Sequence, residues 1–132
     1  MGRKRAVRED RKMEKLIQRI ETDAVDTMLN ADIFSEIFGP EHSHWANFYG
    51  QFTESVSDAF ALAPEGMVDF LIATHHNPPS IYCEIVVRVK KKKASRQETF
   101  VAYVSTASQT FQNASARAFS IAALKARAAT IA

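Results

Sequence analysis

Residues 81–89 alternate so strictly that little besides a β-strand fits them. Ile81, Cys83, Ile85, Val87 and Val89 fall on one side, and Tyr82, Glu84, Val86 and Arg88 on the other. A strand with one wholly apolar side needs neighbours to pair with and a cover over that side. The flanking sequence offers the neighbours. Met67 to Thr74 is rich in strand formers, with Val68, Phe70 and Ile72 alternating with Asp69, Leu71 and Ala73. Glu98 to Ser105, carrying Phe100, Val101, Tyr103 and Val104, reads as a third strand. His75-His76-Asn77-Pro78-Pro79 reads as a loop, because successive prolines cannot feed a central ladder. Lys90 to Gln97 reads as a charged connection. Such short links pair adjacent strands antiparallel.

Helical periodicity supplies the cover. Met13, Leu16, Ile17, Ile20, Ala24 and Met28 recur at three- and four-residue spacing and predict a helix over 8–30, preceded by a short mobile tail at Arg3 to Arg5. The pattern runs on weakly through Ile33, Phe34, Ile37 and Phe38 until Gly39-Pro40 stops it. Ser43 as an N-cap and the stripe Trp45, Phe48, Tyr49, Phe52, Val56, Phe60 predict a second helix over 43–62, its aromatics packed in the core. The Ala-rich stretch 108–128 predicts a last helix. Phe111, Ala114, Ala118, Ile121, Ala122 and Lys125 line one side of it, and its small residues let it sit close to a sheet. The expected fold is α+β in the order α-α-β-β-β-α: N-terminal helices, a three-stranded antiparallel sheet, and a C-terminal helix packed on one sheet face. The helices at 43–62 and 108–128 are expected to form the covering layer.

A length of 132 residues suits one core, divided here into a basic N-terminal arm and helix over 1–40 and a main unit over 41–132. No run nears the roughly 18 apolar residues of a membrane span. No apolar stretch follows the basic start to make a secretory signal, and the single Cys83 suits a reducing compartment. The expected setting is intracellular, cytoplasmic or nuclear, or a virion.

Charge is strongly segregated along the chain. Residues 1–20 carry a balance of +5, residues 21–69 one of −10 with no Lys or Arg, and residues 70–132 one of +7. A bipolar chain of this kind meets a polyanion through its basic ends, or another copy of itself head to tail. Arg3, Lys4, Arg5, Arg8, Arg11 and Lys12 form a basic arm, with Arg8, Arg11, Lys12, Lys15 and Arg19 on one helical face. Lys90, Lys91, Lys92 and Lys93, with Arg88 and Arg96, concentrate positive charge between two strands. They suit phosphate contact that is salt-dependent and blind to sequence, or else a solvated hairpin tip. Tyr82 and Tyr103 could lie on the uncovered sheet face, where rings can stack on bases, although half-buried strand tyrosines are the commoner outcome.

Chemistry beyond binding finds little material. His42, His44, His75, His76 and Cys83 match no zinc spacing, so no metal and no cofactor is expected. Four glycines, at 2, 39, 50 and 66, build no phosphate-cradling loop, and no nucleophile elbow or paired-carboxylate pattern occurs. No catalytic residue is expected.

The order helix–strand–strand–strand–helix over about 45–126 resembles a double-stranded RNA-binding domain. Phe70 to Val87, with its His- and Pro-containing link, is similar to that family's first two strands and the loop between them, and Phe119 to Leu124 to the close of its last helix. The resemblance covers a little over half the chain and makes 41–132 a core of that type. It implies RNA contact by the link at His75, His76 and Asn77 and by the last helix through Gln109, Gln112, Asn113 and Arg117. The family's lysine cluster, due near Gln112, Asn113 and Ala116, is missing, and 43–62 is acidic at Glu54 and Asp58.

The expected function is a non-catalytic RNA-binding protein, with no membrane partner. Two rivals are a self-assembling structural subunit of a viral or ribonucleoprotein particle, and an adaptor or inhibitor whose acidic 21–69 region grips a basic protein partner.

Overall fold

The computed structural model describes residues 2–22, 26–45, 49–91 and 94–131. Three strands, β1 (Met67–His76), β2 (Pro79–Lys91) and β3 (Ala94–Ser105), form one antiparallel sheet in the order β1-β2-β3. Four α-helices lie among the described residues: α1 (Gly2–Glu21), α2 (Leu29–Phe38), α3 (Val56–Ala59) and α4 (Phe111–Ile131). The fold is α+β, with α4 packed on the sheet.

The alternation in β2 works as read. Ile81, Cys83, Ile85 and Val87 are fully buried beneath α4 and, with Ala102 and Val104 of β3, form the sheet side of the core. Burial pushes the Cys83 thiol up to about 12, so it packs as an apolar group. The other side of α4 meets α1, whose Met13, Leu16, Ile17 and Ile20 are buried. The last helix is therefore a middle layer between sheet and α1. Its small residues, Ala114, Ser115, Ala116, Ala118, Ser120, Ala122, Ala123 and Ala126, are buried all round and admit neighbours on both sides. One buried cluster joins α1 and α2 to the sheet and α4.

Several expected boundaries are corrected. The N-terminal helix begins at Gly2, with Arg3 to Arg5 inside it, and it ends at Glu21, short of residue 30. Arg117 explains the stop: its Nη1 donates to the carbonyls of Ile20 and Thr22, both at 2.9 Å. These are the oxygens that a helix C-terminus leaves unpaired, and a cation suits that end of the helix dipole. Asp26 starts the next helix by accepting from the Met28 N–H at 3.2 Å, so 29–38 is a separate α2. Ala24 lies outside the described residues, and Met28 is exposed.

No continuous helix spans 43–62. A 3₁₀ segment (Pro40–Trp45), a turn at 52–54, the four-residue α3 and a further 3₁₀ turn (Phe60–Leu62) stand there. Side chains compete for the backbone. The Asp58 carboxylate accepts from the Gln51 N–H at 3.0 Å, Asn30 Oδ1 accepts from both the N–H and hydroxyl of Thr53, and Ser55 caps α3 by accepting from the Asp58 N–H. Of the expected aromatic stripe, Phe52 is fully buried. Trp45 and Tyr49 are exposed with ring centroids 5.7 Å apart, Phe60 is at the margin against Phe70 and Phe119, and Phe48 lies outside the described residues. The layer over the sheet is thus α4 backed by α1.

The strands exceed their expected lengths. His75 and His76 belong to β1 and Pro79 opens β2, where a missing N–H costs little, so the link shrinks to Asn77 and Pro78. Lys90, Lys91 and Ala94 to Gln97 are strand residues too, paired Lys90↔Ser95 and Lys91↔Ala94. β1 ends its pairing at Met67↔Val87, so 88–91 and 94–97 continue as a two-stranded ribbon beyond it. Gly66 anchors the ribbon's base. Its carbonyl accepts from the Arg88 N–H at 2.9 Å, its φ is +91°, and a Cβ there would meet the Arg88 carbonyl oxygen at 2.9 Å.

Candidate nucleic-acid interface

The residues expected to contact nucleic acid fall into three groups. At the ribbon, Arg88 and Lys90 alternate with Val89 and so lie on the same side, the one turned away from α4. Both are exposed, and neither makes an ion pair among the described residues. Arg96, across β2 from Val89, pairs with Glu98 of its own strand. The side chain of Lys91, and Lys92 and Lys93 altogether, lie outside the described residues.

On α1, apolar packing turns the opposite face outward. Arg11, Lys12 and Lys15 are exposed, and the side chains of Arg3, Lys4, Arg5 and Arg8 lie outside what is described. Two cations on this face meet acids of the following segment. Arg19 Nε donates to Asp26 at 2.8 Å and its Nη1 lies 2.8 Å from Asp32, while Lys12 Nζ is 3.9 Å from Glu36. The hydrogen bond from Arg19 holds the Asp26 carboxyl below its usual range. Between α1 and α2, Lys12, Arg19, Asp32 and Glu36 line a groove of mixed sign with Lys15, Leu16, Ser35 and Pro40.

The third group contains the residues that the family resemblance singles out. Thr74, His75, His76, Ser80, Gln109 and Phe111 border one pocket, so the β1–β2 turn and the start of α4 do come together. Asn77 is exposed in that turn, and Gln112 is exposed at the first turn of α4. Gln112 shares a second hollow with Glu54, Ser55 and Ser57, an acidic setting for a phosphate contact. The Asn113 N–H is capped by the Thr110 hydroxyl at 3.1 Å. Arg117 serves a different purpose, since its guanidinium binds the end of α1.

The sheet face away from α4 carries a feature that sequence reading reached only in part. Directly paired residues share a face. Tyr82↔Tyr103 and Ala73↔Tyr82, with Glu84↔Val101 and Leu71↔Glu84, therefore place Leu71, Tyr82, Glu84, Val101 and Tyr103 together. His75, opposite Ser80, joins them. Ring centroids lie 4.9 Å apart for Tyr82–Tyr103, 5.9 Å for His75–Tyr82 and 5.7 Å for His75–Tyr103. The Tyr82 hydroxyl donates to Glu84 Oε1 at 3.0 Å, which raises the phenol's pKa. Tyr103 is 60% exposed, and Leu71 and Val101 are exposed beside it. His75 could have been assigned to this cluster from the sequence only with the two-residue turn known, because the turn sets the register.

Among the described residues, no group of three or more His, Cys, Asp or Glu side chains is placed to hold a metal ion. No described helix is long and apolar enough to cross a membrane. No protein-family model matches the chain, and neither a curated protein nor a solved structure matches it.

Proposed function

We propose that this chain is a non-catalytic nucleic-acid-binding protein, RNA being the favoured class, which holds the phosphate backbone with its lysine-rich ribbon. The observation that carries the reading is the exposure of Arg88 and Lys90 on one side of a two-stranded ribbon that runs past β1, neither engaged by a carboxylate among the described residues. A paired two-stranded ribbon sets the spacing of its backbone, so less backbone entropy is lost on binding than from a loose loop. The preference for RNA draws on the resemblance to double-stranded RNA-binding domains. In its favour are the β1–turn–β2 unit and the proximity of His75 and His76 to the start of α4. Against a duplex-reading mode stands the four-residue α3 where that family has its first long helix.

The rival readings need free acids in 21–69. Asp26, Asp32 and Glu36 face Arg19 and Lys12 of the same chain, and Asp58 accepts from a backbone N–H. These contacts engage four acids of that stretch, while Glu21, Glu54 and Glu65 are exposed and could still meet a basic partner.

The test is an electrophoretic shift series with duplex RNA, single-stranded RNA and duplex DNA at two salt concentrations. Binding should weaken steeply with salt. Replacing Arg88 and Lys90 with Ser should lower the slope of log K against log salt by about 1.4 on single strands. Affinity indifferent to salt, or a slope unmoved by the double substitution, would remove the ribbon mechanism.

A further inference from the structure

We infer that the open sheet face binds unpaired bases, so that the preferred target is a single strand laid along β2 with its phosphates on the ribbon. This rests on the proposed nucleic-acid function and narrows its substrate. The face divides into zones of different chemistry. At one end is the three-ring cluster of His75, Tyr82 and Tyr103. Leu71, Val101 and Glu84 occupy the middle, Asp69 and Val86 come next, and Arg88 and Lys90 follow at the ribbon. From Tyr82 to Arg88 is about 20 Å at the rise of an extended chain, a span suited to several nucleotides of a stretched strand.

Each zone matches one part of such a strand. Aromatic rings that are exposed at one face stack on bases of any sequence, and Tyr103 offers the most surface. Glu84 would repel a phosphate laid over the centre of the sheet. It accepts hydrogen bonds, however, and so suits the exocyclic amino groups of bases. With bases inward over the centre, phosphates reach cations only at the ribbon, where Arg88 and Lys90 stand. A paired duplex cannot use this arrangement, because its bases are already stacked and their faces hidden. A second copy of the chain is the competing occupant. It would cover the exposed Leu71, Val101 and Tyr103, but it would also have to desolvate Glu84.

Fluorescence anisotropy with the full chain, a labelled octacytidine RNA and a labelled RNA duplex tests the inference, with sedimentation velocity in parallel. Tyr103→Ala should weaken single-strand binding on the order of tenfold and leave the salt slope and duplex binding unchanged, while Tyr103→Phe should bind like the parent. Leu71→Ser, on the same face, should reproduce part of the loss. Salt-dependent binding by the parent that Tyr103→Ala and Leu71→Ser leave untouched would overturn the base-stacking inference and spare the ribbon reading. Binding of neither RNA would overturn both. A dimer that Tyr103→Ala converts to monomer, with RNA affinity unaltered, would assign the face to a second copy and overturn the inference.

Discussion

Arg117 shows how a residue's partners decide its role. By type and position it suits a phosphate contact at the start of the last helix. In the fold its Nη1 bridges two carbonyls at the end of α1, ninety-seven and ninety-five residues away in sequence. Charge-assisted bonds to otherwise orphaned helix carbonyls are worth more than neutral ones. Arg117→Ala should therefore destabilise the protein by about 1.5–3 kcal/mol, read as a lower urea midpoint. It should leave nucleic-acid affinity intact wherever the chain is still folded. A loss of affinity without loss of stability would return Arg117 to the binding surface. Arg127 has a similar part, donating to the carbonyls of Leu62 and Ala63, and Lys125 donates to Val101. Cations counted along a sequence include several that serve the fold, and the count cannot separate the two kinds.

At the level of elements, what could be read in advance depended on whether the signal was periodic or local. The alternation of Ile81 to Val89 and the Ala-rich run after residue 108 each repeat one pattern long enough to outweigh exceptions, and both held in type and place. The stretch 43–62 has apolar residues at helical spacing, yet the side chains of Asn30, Ser55 and Asp58 tie up its backbone N–H groups. Such bonds depend on Asn30 and on exact loop geometry, neither visible in periodicity. The ribbon was missed for another reason: a run of lysines looks like a loop because few core strands tolerate it, but a strand that runs past its neighbour with Arg88 and Lys90 in solvent and only Val89 partly buried does. The same limit applied to the candidate site. Tyr82 and Tyr103 were legible as possible surface rings from alternation, whereas His75 and Leu71 needed the register. The middle position of α4 was also hidden, although its composition permits it. Ala118 is fully buried in that layer. Ala118→Leu should force the sheet and α1 apart and cost about 1–3 kcal/mol, seen as a reduced Tm; an unchanged Tm would mean that α4 has slack on one side.

Across the whole molecule, the segregated charge is partly resolved by folding. The acidic stretch after α1 turns back so that Asp26 and Asp32 flank Arg19 and Glu36 approaches Lys12. Of the two basic regions, the one on α1 is thus partly neutralised from within, while Arg88 and Lys90 on the ribbon face solvent without a carboxylate among the described residues. Under the proposed function, this asymmetry bears on which region would meet a polyanion. The pairs at Asp32 and Glu36 are solvent-accessible, so removing their charges should alter stability by less than about 1 kcal/mol. The double variant Asp32→Asn, Glu36→Gln would leave Lys12, and one side of Arg19, available at the α1 face beside exposed Arg11 and Lys15. If α1 shares in phosphate contact, affinity for single-stranded RNA should rise several-fold at low salt. The slope of log K against log salt should also steepen by about 0.7 for each additional phosphate neutralised. A higher affinity at an unchanged slope would mean only a long-range gain in attraction from the altered net charge. With both quantities unchanged, the ribbon would be the principal site of phosphate contact and α1 a structural helix whose cations serve its own neighbours.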